Sequence, residues 1–107
     1  NAYIDRFRKI LARGGSSIRE LTDDEWETEM ISFAVGGPSA GAIAKAEVEQ
    51  ALNLLSEREK ELLILAAAGF SNAQIAIYLE YKTGKVVATR IKQINEKLKA
   101  ILSQRRS

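Results

Sequence analysis

Lys85, Thr89, Arg90, Lys92 and Gln93 stand within nine residues of one another in GKVVATRIKQINEKL, Gly84 to Leu98. Their side chains offer positive charge and hydrogen-bond donors, which suit phosphates and base edges better than bond-breaking chemistry. Reactive alternatives are scarce. The 107 residues contain no Cys and no His, which removes disulfides, thiolate metal sites, thiol nucleophiles, the commonest metal ligand and the commonest general base. The remaining carboxylates, lysines and serines assemble no nucleophile–base pair and no metal constellation by spacing, so neither an enzyme nor a cofactor is expected. The acidic run Asp23, Asp24, Glu25, Glu27 and Glu29 reads as the first turns of a helix, where the dipole favours negative charge. The Gly-rich GGPSAG (Gly36 to Gly41) matches neither a P-loop nor a dinucleotide fingerprint and reads as a hinge between helices.

Charge is unevenly placed around these residues. From Lys82 to Ser107 there are eight cations and one anion, net +7. Residues 1–81 hold eight cations and thirteen anions, net −5, so the overall +2 conceals a basic end on an acidic body. That asymmetry is the one expected of a polyanion-binding surface. A length of 107 residues suits one core, and 46% hydrophobic with 28% charged residues is ordinary for a soluble globule. No apolar run approaches the ~18 residues that cross a bilayer, and no segment has the layout of a signal peptide, so a cytoplasmic protein without membrane contact is expected. The chain opens on Asn rather than Met, which fits a fragment or a trimmed chain.

The elements that must position the cations read as helices throughout, with an all-α fold expected. Residues 2–12 put Tyr3, Ile4, Phe7, Ile10 and Leu11 on one face before Gly14-Gly15. Thr22 to Glu25 forms a capping box ahead of Trp26, Met30 and Phe33, and Gly36-Gly37-Pro38 breaks that run. Ser39 can cap a helix over about 40–54 with the stripe Ala44, Val48, Ala51, Leu52 and Leu55. Ser56 to Glu59 is a second capping box, opening a helix to about residue 68 with Leu62, Leu63 and Leu65 inward, and Gly69 ends it. A short helix over 72–79 is capped by Ser71 or Asn72 and buries Ile75, Ala76 and Leu79. Thr83 caps the last helix, 84–102, whose Val87, Ile91, Ile94, Leu98 and Ile101 recur at steps of four, three, four and three. A short helix, a tight turn and a longer helix exposing Lys, Arg, Thr and Gln make a helix-turn-helix, which enters the DNA major groove.

LSEREKELLILAAAGFSNAQIAIYL, Leu55 to Leu79, resembles the opening of the LuxR-type DNA-binding domain, roughly L-T-x-R-E-x-E-V-L-x-L-x-A-x-G-x-S-N-x-E-I-A-x-x-L. Arg58, Glu59, Leu63, Gly69, Ser71, Asn72, Ile75, Ala76 and Leu79 carry the match. The segment is similar, less specifically, to the fourth region of bacterial sigma factors. The resemblance implies a trihelical DNA-binding core over residues 55–107 and a bacterial transcription regulator. Beyond Leu79 the chain departs from the pattern. The family commonly continues Gly-Ile/Val-Ser and then T-V-K-x-H, whereas the turn here, EYKTGK, is one residue longer. With Val87 in the buried Val position, Thr83 stands for the turn Ser, Ala88 for the usual Lys, Arg90 for the usual His and Gln93 for the usual Asn. The family's fourth helix, often a dimerisation surface, has no counterpart. Residues 1–54 read as an N-terminal helical segment that is expected to dimerise or regulate.

Double-stranded DNA is therefore the expected partner, with residues 84–98 as recognition helix. Arg90 and Gln93 suit base edges, Arg for guanine and Gln for adenine. Lys82, Lys85, Lys92 and Lys97 suit phosphates, and Thr89 completes the exposed face. Ser71, Asn72 and Thr83 either meet phosphates or simply cap helices, and Val86 either touches a thymine methyl or pads the core. Arg58 and Glu59 are read as stabilising the first helix of the trio. A homodimer across two half-sites roughly 34 Å apart is expected, because one domain makes few phosphate contacts. The alternatives are a helix-turn-helix that binds a protein, such as a polymerase subunit or sigma factor, and a sigma-type promoter reader.

Overall fold

Three helices begin on capping boxes, in which an N-cap hydroxyl and a carboxylate or amide three residues on exchange hydrogen bonds with the backbone. Thr22 pairs in this way with Glu25, Ser56 with Glu59, and Ser71 with Gln74. In the computed structural model, described over residues 2–14, 21–35 and 44–106, the chain forms six helices, and no strand occurs among the described residues. They are α1 (Ala2–Gly14), α2 (Asp23–Ala34), α3 (Lys45–Leu54), α4 (Glu57–Ala67), α5 (Asn72–Leu79) and α6 (Gly84–Arg106). The all-α expectation holds. The hinge read at Gly36 to Gly41, the cap read at Ser39 and the stop at Gly15 lie outside the described residues.

Helix α4 is the centre of the packing. Helices α1, α2, α5 and α6 all lie against it, α5 packs on α6, and α2 reaches both α3 and α6. Leu62, Leu63, Ile64 and Leu65 of α4 are all buried, four in a row, because partners surround this helix. One contiguous core joins Tyr3, Ile4 and Phe7 of α1, Trp26 and Met30 of α2, Val48 and Ala51 of α3, and Val87, Ile94 and Leu98 of α6. Phe7 meets Trp26 edge to face at 4.8 Å between ring centroids. The Tyr3 hydroxyl donates to Glu27 Oε2 at 2.8 Å, and burial beside that carboxylate pushes the phenol well above its ordinary value, so it stays protonated.

Two expected core residues turn outward. Phe33 is 40% exposed, and Ile31 and Ala34 are buried instead. At about 100° per residue Phe33 falls just outside the sector that runs from Trp26 through Met30 and Ala34 to Ile31. Helices α3, α4 and α6 all pack against α2. Ala44, expected in the α3 stripe, is the exposed N-cap of that helix with an extended backbone. Ile10, Leu11, Leu52 and Ile91 are only partly buried. Helix α6 also runs four residues past its expected end, to Arg106.

The connections fix how α6 sits. Gly69 takes φ +99° after α4, and Phe70 N–H donates to the Leu65 carbonyl at 3.2 Å, a Schellman closure. The same closure ends α5, where Tyr81 N–H donates to Ala76 O at 2.9 Å. There the left-handed residue is Glu80, φ 61°, directly after Leu79, where the resembled pattern carries Gly. Thr83 Oγ1 accepts from Val86 N–H at 3.4 Å, so four residues, Glu80 to Thr83, separate the two helices. A Cβ on Gly84 would stand 3.3 Å from the Ala73 backbone nitrogen, so the small residue lets α6 start against the beginning of α5.

Candidate nucleic-acid interface

Helix α6 has two sides because its apolar residues recur at helical spacing. Val87, Ile94 and Leu98 are buried and Ile91 half-buried, which holds one side against α4 and α5. Asn95 adds a hydrogen bond from its side-chain amide to the Ala34 carbonyl, tying α6 to the end of α2. The other side is open. Lys85, Thr89 and Lys92, spaced four and three apart, are exposed along one ridge together with Glu96, and Ala88 and Lys99 are exposed on its flank.

Arg90 and Gln93 are exposed too, but they leave the helix on a different flank. Arg90 stands one turn before the buried Ile94, at the rim of the apolar stripe. With Ser56, Arg58 and Glu59 at the start of α4 and Tyr81 in the turn, Arg90 and Gln93 line a groove of about 260 Å³. Arg58 is fixed there: its Nη2 donates to the Leu79 carbonyl at 2.7 Å, and its Cζ lies 4.5 Å from the centre of the Tyr81 ring. Glu59 is engaged as well, accepting from Ser56 N–H at 2.8 Å and standing 3.6 Å from Lys97 Nζ.

The sequence-derived candidates thus divide. Lys85, Thr89 and Lys92 come together on the ridge, and Arg90 and Gln93 share the groove. Lys97, exposed, points to Glu59, while Lys82 and Thr83 are exposed in the turn. Val86 is half-buried beside them. Ser71 is the N-cap of α5, its hydroxyl accepting from Gln74 N–H at 3.2 Å, and Asn72 is exposed at that helix's first turn. Sequence reasoning missed Tyr81 and the second role of Arg58, which reaches past its own helix to the end of α5. The aromatic in an unusually long turn was the signal available.

Asp23, Glu25 and Glu27 of α2 are engaged within the fold. Glu25 closes its capping box, and Asp23 Oδ1 accepts from Arg8 Nη2 at 3.0 Å. Among the described residues no group of three or more acidic side chains could hold a metal ion, and no helix is long and apolar enough to cross a membrane.

Residues 53–104 match the family described as bacterial regulatory proteins, luxR family. No curated protein and no solved structure matches the chain.

Proposed function

Since residues 53–104 are a LuxR-type DNA-binding domain, we propose that the protein is a bacterial transcription regulator that reads duplex DNA with α6 in the major groove. The single observation that carries this reading is the uncovered ridge of Lys85, Thr89 and Lys92, backed by a side of α6 locked into the core. Helix α5 braces α6, and Arg90, Gln93, Lys82 and Lys97 supply further donors around the ridge. Ser71, Asn72 and Thr83 belong to the helix starts that face the same partner. Counterion release then dominates affinity, with log K falling by ~0.9 per neutralised phosphate for each decade of salt. The test is retention of a random-sequence duplex pool by the chain and by its Lys85→Ala/Lys92→Ala variant. Retention falls severalfold at unchanged helicity if the reading is right, and undiminished retention contradicts it.

The reading extends to a homodimer, with residues 1–54, whose helices share one core with those of 55–107, as a regulatory or dimerising segment. Sedimentation equilibrium showing a monomer at high concentration would remove the homodimer. A second reading, a module for a polymerase or sigma factor partner, is favoured by Ile77, 78% exposed on α5. Pull-down lost on Ile77→Ser with DNA retention intact would support it.

A further inference from the structure

We propose that the groove between the start of α4 and the flank of α6 takes one phosphate of the DNA backbone, held by Arg90, Gln93 and Arg58. The inference rests on the DNA-binding reading above and exchanges the roles read from the sequence: Arg90 and Gln93 set depth and register in place of Lys85 and Lys92, and bases fall to Lys85, Thr89 and Lys92.

A helix about 10–12 Å across fills a major groove about 12 Å wide, so its outer ridge meets the floor and its flanks meet the phosphate walls. Lys85, Thr89 and Lys92 share the ridge, whereas Arg90 precedes the buried Ile94 by one turn and leaves along a flank. The opposite wall of the groove is held in place. Arg58 is not a free surface cation, because the Leu79 carbonyl and the Tyr81 ring fix its plane. A guanidinium has five N–H donors, and the bond to Leu79 uses one of them. Arg58, Arg90 and Gln93 thus line one space of about 260 Å³ from its two walls. Charge favours an anion there as well. The one carboxylate in the lining, Glu59, lies 3.6 Å from Lys97 Nζ, so three cations, Arg58, Arg90 and Lys97, stand against one anion and the groove keeps a positive balance.

The test uses the full chain, a duplex selected from a random-sequence pool, and that duplex with each base pair changed in turn. Arg90→Ala is expected to weaken binding to all of them by a similar factor and to lower the slope of log K against log salt by ~0.9. Arg90→Lys keeps the slope, because a point charge still neutralises the phosphate. Relaxed preference at one base pair with the slope unchanged overturns the inference and leaves DNA binding intact. Failure of the unsubstituted chain to bind any duplex takes down both. An Arg90 Nε–H resonance that answers inorganic phosphate but not the duplex also overturns it, since the groove would then serve a free anion.

Discussion

Arg58 reaches from the first turn of α4 to the carbonyl oxygen of Leu79, 21 residues later, and donates to it at 2.7 Å. Carbonyls at the end of a helix lack intrahelical partners, so this contact satisfies one that α5 leaves open. The same guanidinium stacks on Tyr81 in the following turn. One side chain thereby connects the helix that anchors the core to the connection that aims α6.

Truncating this contact should cost stability. Arg58→Ala is expected to lower the unfolding free energy by about 1–2 kcal/mol, the range for a charge-assisted hydrogen bond plus a partly exposed cation–π contact. Arg58→Lys should recover less than half of that, because an ammonium lacks the planar face that stacks on Tyr81. Urea denaturation of the two variants checks the ordering; equal loss of nothing in both would mean the contact is idle.

Glu80 offers the opposite prospect. It holds φ 61°, a conformation that costs a residue with a Cβ roughly 1–2 kcal/mol and glycine much less. Glu80→Gly is therefore expected to raise stability by about 0.5–1 kcal/mol once glycine's extra freedom in the unfolded chain is set against the relief. A melting temperature that falls would show that the Glu80 side chain contributes something the backbone does not reveal.

A pH effect resides at the start of α2. The Glu25 carboxyl is held below its usual value by the Thr22 backbone N–H, 2.9 Å away, and by the Thr22 hydroxyl. Because the folded value is depressed, its contribution is present above the ordinary carboxylate range, about 4, and is lost as pH falls through the folded value. The stability difference between the chain and its Glu25→Gln variant should be visible at neutral pH and shrink on acidification. Parallel pH profiles would contradict this.

What the sequence made legible was what is local. Capping boxes at Thr22 and Ser56, the left-handed stop at Gly69 and the buried stripe of α6 depend on neighbours within a turn or two, so spacing alone exposes them. Phe33 was not legible in this way, because which edge of α2 is covered depends on four other helices. The left-handed Glu80 was hidden because residue type argues against it. The groove was hidden for a different reason: Arg58 and Arg90 are 32 positions apart and meet only after α4 and α6 have packed. Arg90 and Gln93 were matched to base edges by side-chain chemistry alone, in which the wall opposite them does not appear.

The most direct test of the central claim is a map of backbone and side-chain NMR shifts as a duplex pool is added at low ionic strength. The account predicts the largest changes at Lys85, Thr89, Arg90, Lys92 and Gln93, vanishing as salt is raised, with Trp26, Val48 and Ala51 unmoved. Shifts confined to α1–α3, or none on α6 at any duplex concentration, would contradict it.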